Sequence, residues 1–178
     1  LESARTQAQA HEAMLMYISG GRGLYRRMGA QDAIAGWTTV IPHERADALR
    51  APGFTFRRFR DEDIAACDAW YRARTSHFLR IPNDWMDIVS SGMCMDRPTA
   101  IDLVLRNGEP AAYVAADTEP DENGRVVIQE ASGDADAILG ALREFMDIKQ
   151  ASQAELWIDN GAESLRAACE SQGIQLAQ

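Results

Sequence analysis

The segment Ile101-Asp-Leu-Val-Leu-Arg-Asn107-Gly108-Glu-Pro-Ala111-Ala-Tyr-Val-Ala-Ala116 decides the fold of this chain. Two apolar runs of strand length flank the dipeptide Asn107-Gly108. Asn-Gly favours a type I′ turn, in which both central residues have positive φ and the flanking strands pair antiparallel. We therefore predict a β-hairpin whose strands are residues 101–105 and 111–116.

On the C-terminal side of this hairpin, the spacing of apolar residues predicts further strands and helices. Residues 126–129 predict a third strand of an antiparallel meander. Asp134 is placed to begin a helix with an apolar face formed by Ile138, Leu142, Phe145 and Met146. Next come a strand at 155–159, a helix at 161–172 that ends at Gly173, and the start of a last strand at 174–176.

On the N-terminal side of the hairpin, a strand and two helices are predicted. The strand covers residues 54–59. Asp61 is placed to cap the first helix, whose apolar face consists of Ile64, Cys67, Trp70 and Tyr71. Pro82 and residues 85–89 predict the second helix. A meander followed by one strand-helix-strand crossover predicts an α/β (α+β) fold, with a mixed, mainly antiparallel sheet and helices on both faces.

Upstream of residue 54 the sequence predicts a separate set of elements. These are a helix at 1–10, a strand at 13–18, a short helix at 23–28 closed by Gly29, and a strand at 35–41 that ends at Pro42. The polar stretch 43–53 is interpreted as a linker or a short helix. We therefore expect a first domain ending in residues 1–42, a linker at 43–53, and a second domain at 54–178.

Charge and composition exclude several classes of function. The net charge of -9 would repel nucleic acid and anionic membranes over most of the surface. No apolar stretch approaches the roughly 18 residues that span a bilayer, and no signal peptide is evident. The three cysteines are far apart and the three histidines are isolated. This pattern predicts a cytoplasmic protein with free thiols and no metal site.

The segment Gly23-Leu-Tyr25-Arg-Arg-Met-Gly29-Ala30 carries a second signal. Together with the element order, it resembles the GCN5-related N-acetyltransferase (GNAT) superfamily. There a Tyr lies four residues before the Gly that closes a late helix, and Ala30 stands where Phe is usual. By this resemblance, residues 1–42 match the end of one GNAT domain and residues 54–178 nearly all of a second. It implies that the parent protein is an enzyme transferring acetyl from acetyl-CoA to a primary amine of a small molecule or peptide.

The resemblance also implies roles for particular residues. Tyr25 would be the general acid that protonates the CoA thiolate, and Glu130 would be a base for the acceptor amine. Arg22, Gly23 and Arg26 would lie at the CoA phosphates. Alternatively, Tyr25 is a helical residue packed on the sheet, the arginines are solvated, and Glu130 has no catalytic role.

The second domain departs from the GNAT pattern at both of its expected sites. Its loop at 129–138 should hold a pyrophosphate on helix N–H groups, but it has one glycine and three carboxylates. We interpret Glu130, Asp134 and Asp136 as helix caps. Cys169 occupies the Tyr position and is interpreted as a small buried hydrophobe. The phosphate loop of the first domain is expected upstream of Leu1.

Three functions therefore remain open from the sequence. The first is a catalytic N-acetyltransferase. The second is a non-catalytic recognition, regulatory or dimerisation domain, for which a homodimer is one arrangement. The third is a structural partner that completes the sheet of another subunit. Four aromatic residues are expected in core packing rather than in a substrate cleft: Trp70, Tyr71, Phe78 and Trp85.

Overall fold

The computed structural model describes residues 2–11, 27, 36–94 and 97–178. The chain divides into two compact units, residues 1–33 and residues 34–178. In the first unit the structure describes helix α1, Glu2–Ala10, in agreement with the helix predicted at 1–10. The strand predicted at 13–18 and nearly all of the helix predicted at 23–28 lie outside the described residues.

The described part of the second unit is an alternation of strands and helices. In chain order the elements are β1 (Gly36–Pro42), α2 (His43–Leu49), β2 (Phe54–Arg58), a 3₁₀ turn (Asp61–Asp63), α3 (Ile64–Arg72), α4 (Pro82–Ser91), β3 (Met93–Cys94), β4 (Arg97–Arg106), β5 (Glu109–Asp117), β6 (Arg125–Gly133), α5 (Ala135–Lys149), β7 (Gln153–Asp159) and α6 (Glu163–Ser171).

The Asn107-Gly108 turn is formed as predicted. Asn107 has a φ of 53° and Gly108 a φ of 88°, the positive values that a type I′ turn requires. The turn joins β4 to β5, which pair antiparallel, and β6 pairs antiparallel with β5. The predicted meander is therefore confirmed, and its strands extend beyond the apolar runs that predicted them.

One mixed sheet runs through the unit, with the strand order β1-β7-β6-β5-β4-β2 and the short β3 paired to β4. Its pairs are antiparallel except for β6 and β7, which run parallel from Arg125–Gln153 to Ile128–Leu156. The predicted mixed, mainly antiparallel sheet is confirmed. The sequence did not predict β3, because two residues carry no periodicity.

Strand β1 lies at the edge of this sheet, although the sequence predicts that residues 1–42 belong to an earlier domain. It pairs antiparallel with β7, from Gly36–Asp159 to Pro42–Gln153. Helix α2, within the predicted linker, packs against α5 and buries Ala46 completely. The compact unit therefore begins at residue 34, upstream of the predicted linker, because β1 completes the sheet beside β7.

Helices cover both faces of the sheet, as predicted. Side chains of β5 alternate between two cores: Ala112, Val114 and Ala116 belong to the one under α5, and Tyr113 and Ala115 to the one under α3 and α4. The predicted apolar face of α5 is buried. None of the described helices is both long and apolar enough to cross a membrane.

The start of α3 differs from the prediction. Asp61 opens a 3₁₀ turn instead of capping the helix, and no side chain caps α3. Asp63 accepts the Arg60 backbone N–H at 2.8 Å and both guanidinium N–H groups of Arg57 at 2.6 and 2.7 Å. The helix therefore begins at Ile64. The strand predicted at 174–176 is also not formed, and an isolated bridge between Thr38 and Ala177 follows directly after this stretch.

Candidate functional site

Strands β6 and β7 stop pairing before they end, and a cleft opens there. Their last parallel pair is Ile128–Leu156, whereas β6 continues to Gly133 and β7 to Asp159. The cleft has a volume of about 430 Å³ and is lined by parts of α3, β6, α5 and α6. We call it the β6–β7 cleft. Open α/β sheets bind ligands at the carboxyl ends of their parallel strands, so this cleft is the candidate site.

At the cleft, Gly133 and Asp134 lead from β6 into α5. Gly133 has a φ of +115°, and a Cβ there would lie 2.6 Å from the carbonyl oxygen of Ala111, so only glycine fits. The Asp134 carboxylate accepts the Ala137 backbone N–H at 2.9 Å and pairs with Arg106 at 2.7 Å. The interpretation of Asp134 as a helix cap is confirmed. Its negative charge occupies the positive end of α5.

Glu130, the predicted base, lies on β6 with its carboxylate held by three side chains. Arg80 donates to both carboxylate oxygens at 2.8 Å. The Tyr113 hydroxyl donates to Oε1 at 2.7 Å, and Arg74 Nη1 lies 3.6 Å from Oε2. Glu130 is therefore not a helix cap, which corrects that interpretation. Its role as a base stays a prediction, and these bonds favour a structural role because both oxygens already accept charged or hydroxyl donors.

Aromatic rings hold Arg80 in position. Its guanidinium carbon lies 3.8 Å from the centre of the Tyr71 ring and 5.0 Å from that of Trp85. Trp85 in turn meets Tyr113 edge-on at 5.5 Å. Burial and the neighbouring Glu130 charge raise the pKa of Tyr113, so its hydroxyl stays protonated and donates. All three rings are almost completely buried, which confirms core packing for Tyr71 and Trp85.

Arg74 connects Glu130 to the end of β7. Its side chain is 7% exposed and pairs with Asp159 as well as with Glu130. Burial alone would lower the pKa of Arg74, but the two carboxylates outweigh burial and raise it. Arg74 lines the β6–β7 cleft, and its buried Nε has no hydrogen-bond partner within the described residues. Because an unpaired buried N–H costs about 1–3 kcal/mol, an oxygen atom of a bound ligand would be a favourable partner.

No protein-family model matches this sequence, and no curated protein matches it. The chain is similar in structure to a conserved protein of unknown function from Staphylococcus epidermidis, with a TM-score of 0.57, 13% identity, and coverage of 99% of this chain and 75% of that chain. It is also similar to a GCN5-related N-acetyltransferase from Anabaena variabilis, with a TM-score of 0.59, 8% identity, and coverage of 88% of this chain and 42% of that chain. The chain has the GNAT fold.

A second solved GNAT structure supports the same conclusion. The GCN5-related N-acetyltransferase from Sphaerobacter thermophilus matches with a TM-score of 0.53 and 14% identity, over 86% of this chain and 52% of that chain. At identities this low, the likeness concerns the fold alone. The chain spans about half of the length of the two named acetyltransferases, 42% and 52%.

The carboxylates along the β6–β7 cleft do not fit the pyrophosphate of acetyl-CoA. The GNAT resemblance places that group on the N–H groups at the start of the helix after the fourth strand, which corresponds to α5 here. Asp134 caps α5, Asp136 follows in its first turn, and Glu163 also lines the cleft. The Asp134 carboxylate already accepts the Ala137 N–H, and the negative charges of Asp136 and Glu163 repel an anionic group. A pyrophosphate would therefore be disfavoured at this helix.

Of the predicted site residues, the structure describes Glu130 alone. The other four lie outside the described residues, and their roles stay predictions: Tyr25, Arg22, Gly23 and Arg26. Cys169, at the GNAT Tyr position of the second domain, is fully buried, and burial raises the pKa of its thiol to about 11. The interpretation of Cys169 as a small buried hydrophobe is confirmed.

Sequence reasoning missed Arg74, Arg80 and Tyr113, which hold Glu130. Arg80 and Glu130 are 50 positions apart, so no local spacing signals their contact. Tyr113 did carry a signal, since it is the one polar aromatic residue within the alanine-rich run at 111–116. Within the described residues, no group of three His, Cys, Asp or Glu side chains is arranged to hold a metal ion.

Proposed function

We propose that this chain is part of a GNAT-type N-acetyltransferase that transfers an acetyl group from acetyl-CoA to a primary amine of a small molecule or peptide. Within that enzyme, residues 34–178 serve as a non-catalytic recognition or regulatory domain. The GNAT fold supports the first part. The non-catalytic role of residues 34–178 rests on the hydrogen bonds around Glu130, since Arg80 and Tyr113 already donate to both of its carboxylate oxygens.

Acetyl transfer to an amine requires a group that takes a proton from the amine and a site that holds the anionic end of CoA. In the described unit, the carboxylate placed to act as the base already accepts three hydrogen bonds. The helix terminus placed to hold phosphate is capped by Asp134. Both requirements are therefore poorly met by residues 34–178.

The same cleft retains features suited to recognition. Its walls include the apolar side chains of Trp70, Ile138 and Leu165, and Arg74 adds a buried N–H without a partner in the described part of the chain. A ligand that brings a carbonyl or carboxylate oxygen to Arg74 would satisfy this donor. We assign acetyl transfer itself to the upstream unit, with Tyr25 as the general acid and with Arg22, Gly23 and Arg26 at the CoA phosphates.

Steady-state kinetics of acetyl transfer by a protein containing this chain tests the proposal, with acetyl-CoA and a panel of primary amines. We expect Tyr25→Phe to lower kcat at least tenfold while the KM for acetyl-CoA is unchanged, because the general acid acts in the chemical step. Glu130→Gln should leave kcat within about twofold at a temperature where the variant is folded. Loss of turnover in Glu130→Gln, with Tyr25→Phe fully active, would place catalysis in the described unit and overturn the proposal.

A further inference from the structure

Lys149 is the only lysine in a chain that carries 18 Lys and Arg residues. It lies in the last turn of α5, and its side chain is only 6% exposed. It lines a cleft of about 840 Å³ together with Phe56, Arg58, Asp102, Phe145 and the loop between β5 and β6. We call this the Lys149 cleft. Its volume lies within the range of small-molecule sites.

The ammonium group of Lys149 has donors to spare. It carries three N–H groups, but within the described residues it makes one long hydrogen bond, to the Thr118 carbonyl oxygen at 3.4 Å. Its ion-pair partner, Asp102 Oδ2, is 3.7 Å away, and the centre of the Phe145 ring lies 5.6 Å from Nζ. Burial lowers the pKa of Lys149, and the Asp102 charge opposes that shift. A buried ammonium with so few acceptors is incompletely compensated, and an acceptor in the cleft would complete its hydrogen bonds.

The charges of the Lys149 cleft are separated by sign. Lys149 and Arg58 share a single carboxylate, Asp102, which lies 3.3 Å from Arg58 on its other oxygen. One positive charge is therefore left over on this wall. The β5–β6 loop supplies Glu119 and Glu122, which are exposed and have no ion partner in the described part of the chain.

The remaining charged groups of the cleft are already neutralised. Arg57 is engaged by Asp63 at 2.6 Å, and Asp121 pairs with Arg125 at 3.2 Å. These two ion pairs add no net charge to either wall of the cleft. A ligand therefore meets unpaired positive charge at the floor and unpaired negative charge at the loop.

An apolar surface lies within the same cleft. The rings of Phe56 and Phe145 pack together with their centroids 5.3 Å apart, and Ile148 is 58% exposed. Each exposed apolar group is a place where a ligand can bury surface, at about 25 cal/mol per Å². The cleft thus combines a cationic subsite, an anionic subsite and an apolar one.

We propose that the Lys149 cleft binds a small zwitterion with an apolar side chain, that is, a free α-amino acid. Its carboxylate accepts hydrogen bonds from Lys149 and Arg58, its ammonium group faces Glu119 and Glu122, and its side chain packs on Phe56 and Ile148. This site is separate from the β6–β7 cleft. The two clefts lie at opposite ends of α5, a helix of 15 residues, or about 22 Å at 1.5 Å per residue. The inference therefore does not depend on the acetyl-transfer proposal.

The single lysine makes the test specific. When the full chain is labelled with ¹³C,¹⁵N-lysine, Lys149 gives the only lysine signal, and ligands are added while this signal is followed by NMR. The three probes share one branched alkyl group: L-leucine, 4-methylpentanoate, which lacks the ammonium group, and 3-methylbutylamine, which lacks the carboxylate. We expect L-leucine to shift the signal saturably with a Kd of roughly 1 mM. Each truncated probe should bind at least about tenfold more weakly.

Two variants and one control localise the effect. Lys149→Met and Arg58→Gln should weaken L-leucine binding by about tenfold or more, measured by calorimetry. Arg60→Gln should leave it unchanged, because Arg60 is as exposed as Arg58 but does not line the cleft. Arg58→Gln and the wild-type NMR titration remain informative if Lys149→Met fails to fold. The proposal is overturned if L-leucine gives no saturable shift, or if either truncated probe binds as tightly as L-leucine.

Discussion

Arg80 and Glu130 form a bidentate ion pair, in which Nη1 and Nη2 of Arg80 each lie 2.8 Å from a different carboxylate oxygen of Glu130. The two side chains are only 18% and 19% exposed. The pair joins the segment between α3 and α4 to strand β6, 50 positions away along the chain. Because both charges are largely withdrawn from water, removing either one leaves the other poorly compensated.

We predict that Glu130→Gln destabilises the protein by about 2–4 kcal/mol, because it leaves the Arg80 charge buried without a counter-charge. Urea unfolding at neutral pH, followed by tryptophan fluorescence, measures the change in the free energy of unfolding. The double variant Arg80→Met, Glu130→Leu removes both charges and should recover at least half of the loss. A double variant less stable than Glu130→Gln would contradict this explanation.

Gly133→Ala is predicted to destabilise the protein more than Gly108→Ala. Both glycines have positive φ, but a Cβ at 133 would lie 2.6 Å from the Ala111 backbone, whereas nothing lies within 4 Å of a Cβ at 108. We expect a loss of about 1 kcal/mol for Gly108→Ala and at least about 2 kcal/mol more for Gly133→Ala. Equal losses in urea unfolding would show that the close approach at Gly133 does not constrain the loop.

The elements that the sequence predicted well are those specified by local signals. Asn107-Gly108 specifies the hairpin through backbone conformation, and the 3.6-residue period predicts the buried face of α5. The predicted start of α3 was wrong because Arg57, on the preceding strand β2, pairs with Asp63 and so stabilises a turn before the helix. The local sequence pattern of a helix cap gives no information on this contact between two elements.

The candidate site was harder to predict, because its contacts are long-range. The network around Glu130 joins β6 to side chains from β5 and from the segment after α3. One aromatic residue differs from the expectation of core packing, since Phe78 is 60% exposed. Trp70 packs against the core under α3 and α4, as expected, and also lines the β6–β7 cleft. Their hydrophobicity alone does not distinguish burial from exposure at a cleft.

Acid is predicted to destabilise the fold partly through Asp63. Hydrogen bonds from Arg57 outweigh burial and lower the pKa of Asp63 below its ordinary value. A lowered pKa in the folded state gives stability that is present above the unfolded value of about 3.9 and is lost as pH falls through the folded value. Asp63→Asn should therefore cost about 2 kcal/mol at pH 7 and weaken the decline of stability in acid.

Urea unfolding of wild type and variant as a function of pH measures this effect. Asp61→Asn is the matched control, because Asp61 is an exposed carboxylate two positions away. It should change the free energy of unfolding by less than about 0.5 kcal/mol. If Asp61→Asn and Asp63→Asn had the same effect at pH 7, the pair between Arg57 and Asp63 would not be what stabilises the turn.

Two of the three thiols are predicted to be unreactive in the native protein. Cys67 and Cys169 are fully buried, and burial raises the pKa of their thiols to about 12 and about 11. Since the thiolate is the reactive form, a disulfide reagent at pH 8 should titrate at most one thiol in the native state and all three in denaturant. Two or more fast-reacting thiols in the native protein would contradict the burial of at least one of Cys67 and Cys169.

Calorimetric titration of this chain and of its Ser164→Trp variant with acetyl-CoA decides whether the β6–β7 cleft is an acetyl-CoA site. Asp134 and its neighbouring carboxylates occupy the helix end that a pyrophosphate would need. We predict that this cleft contributes no saturable binding with a Kd below roughly 1 mM, so that Ser164→Trp leaves the titration unchanged. Micromolar binding that is weakened by salt and abolished by Ser164→Trp, a substitution in the wall of the cleft, would contradict the account.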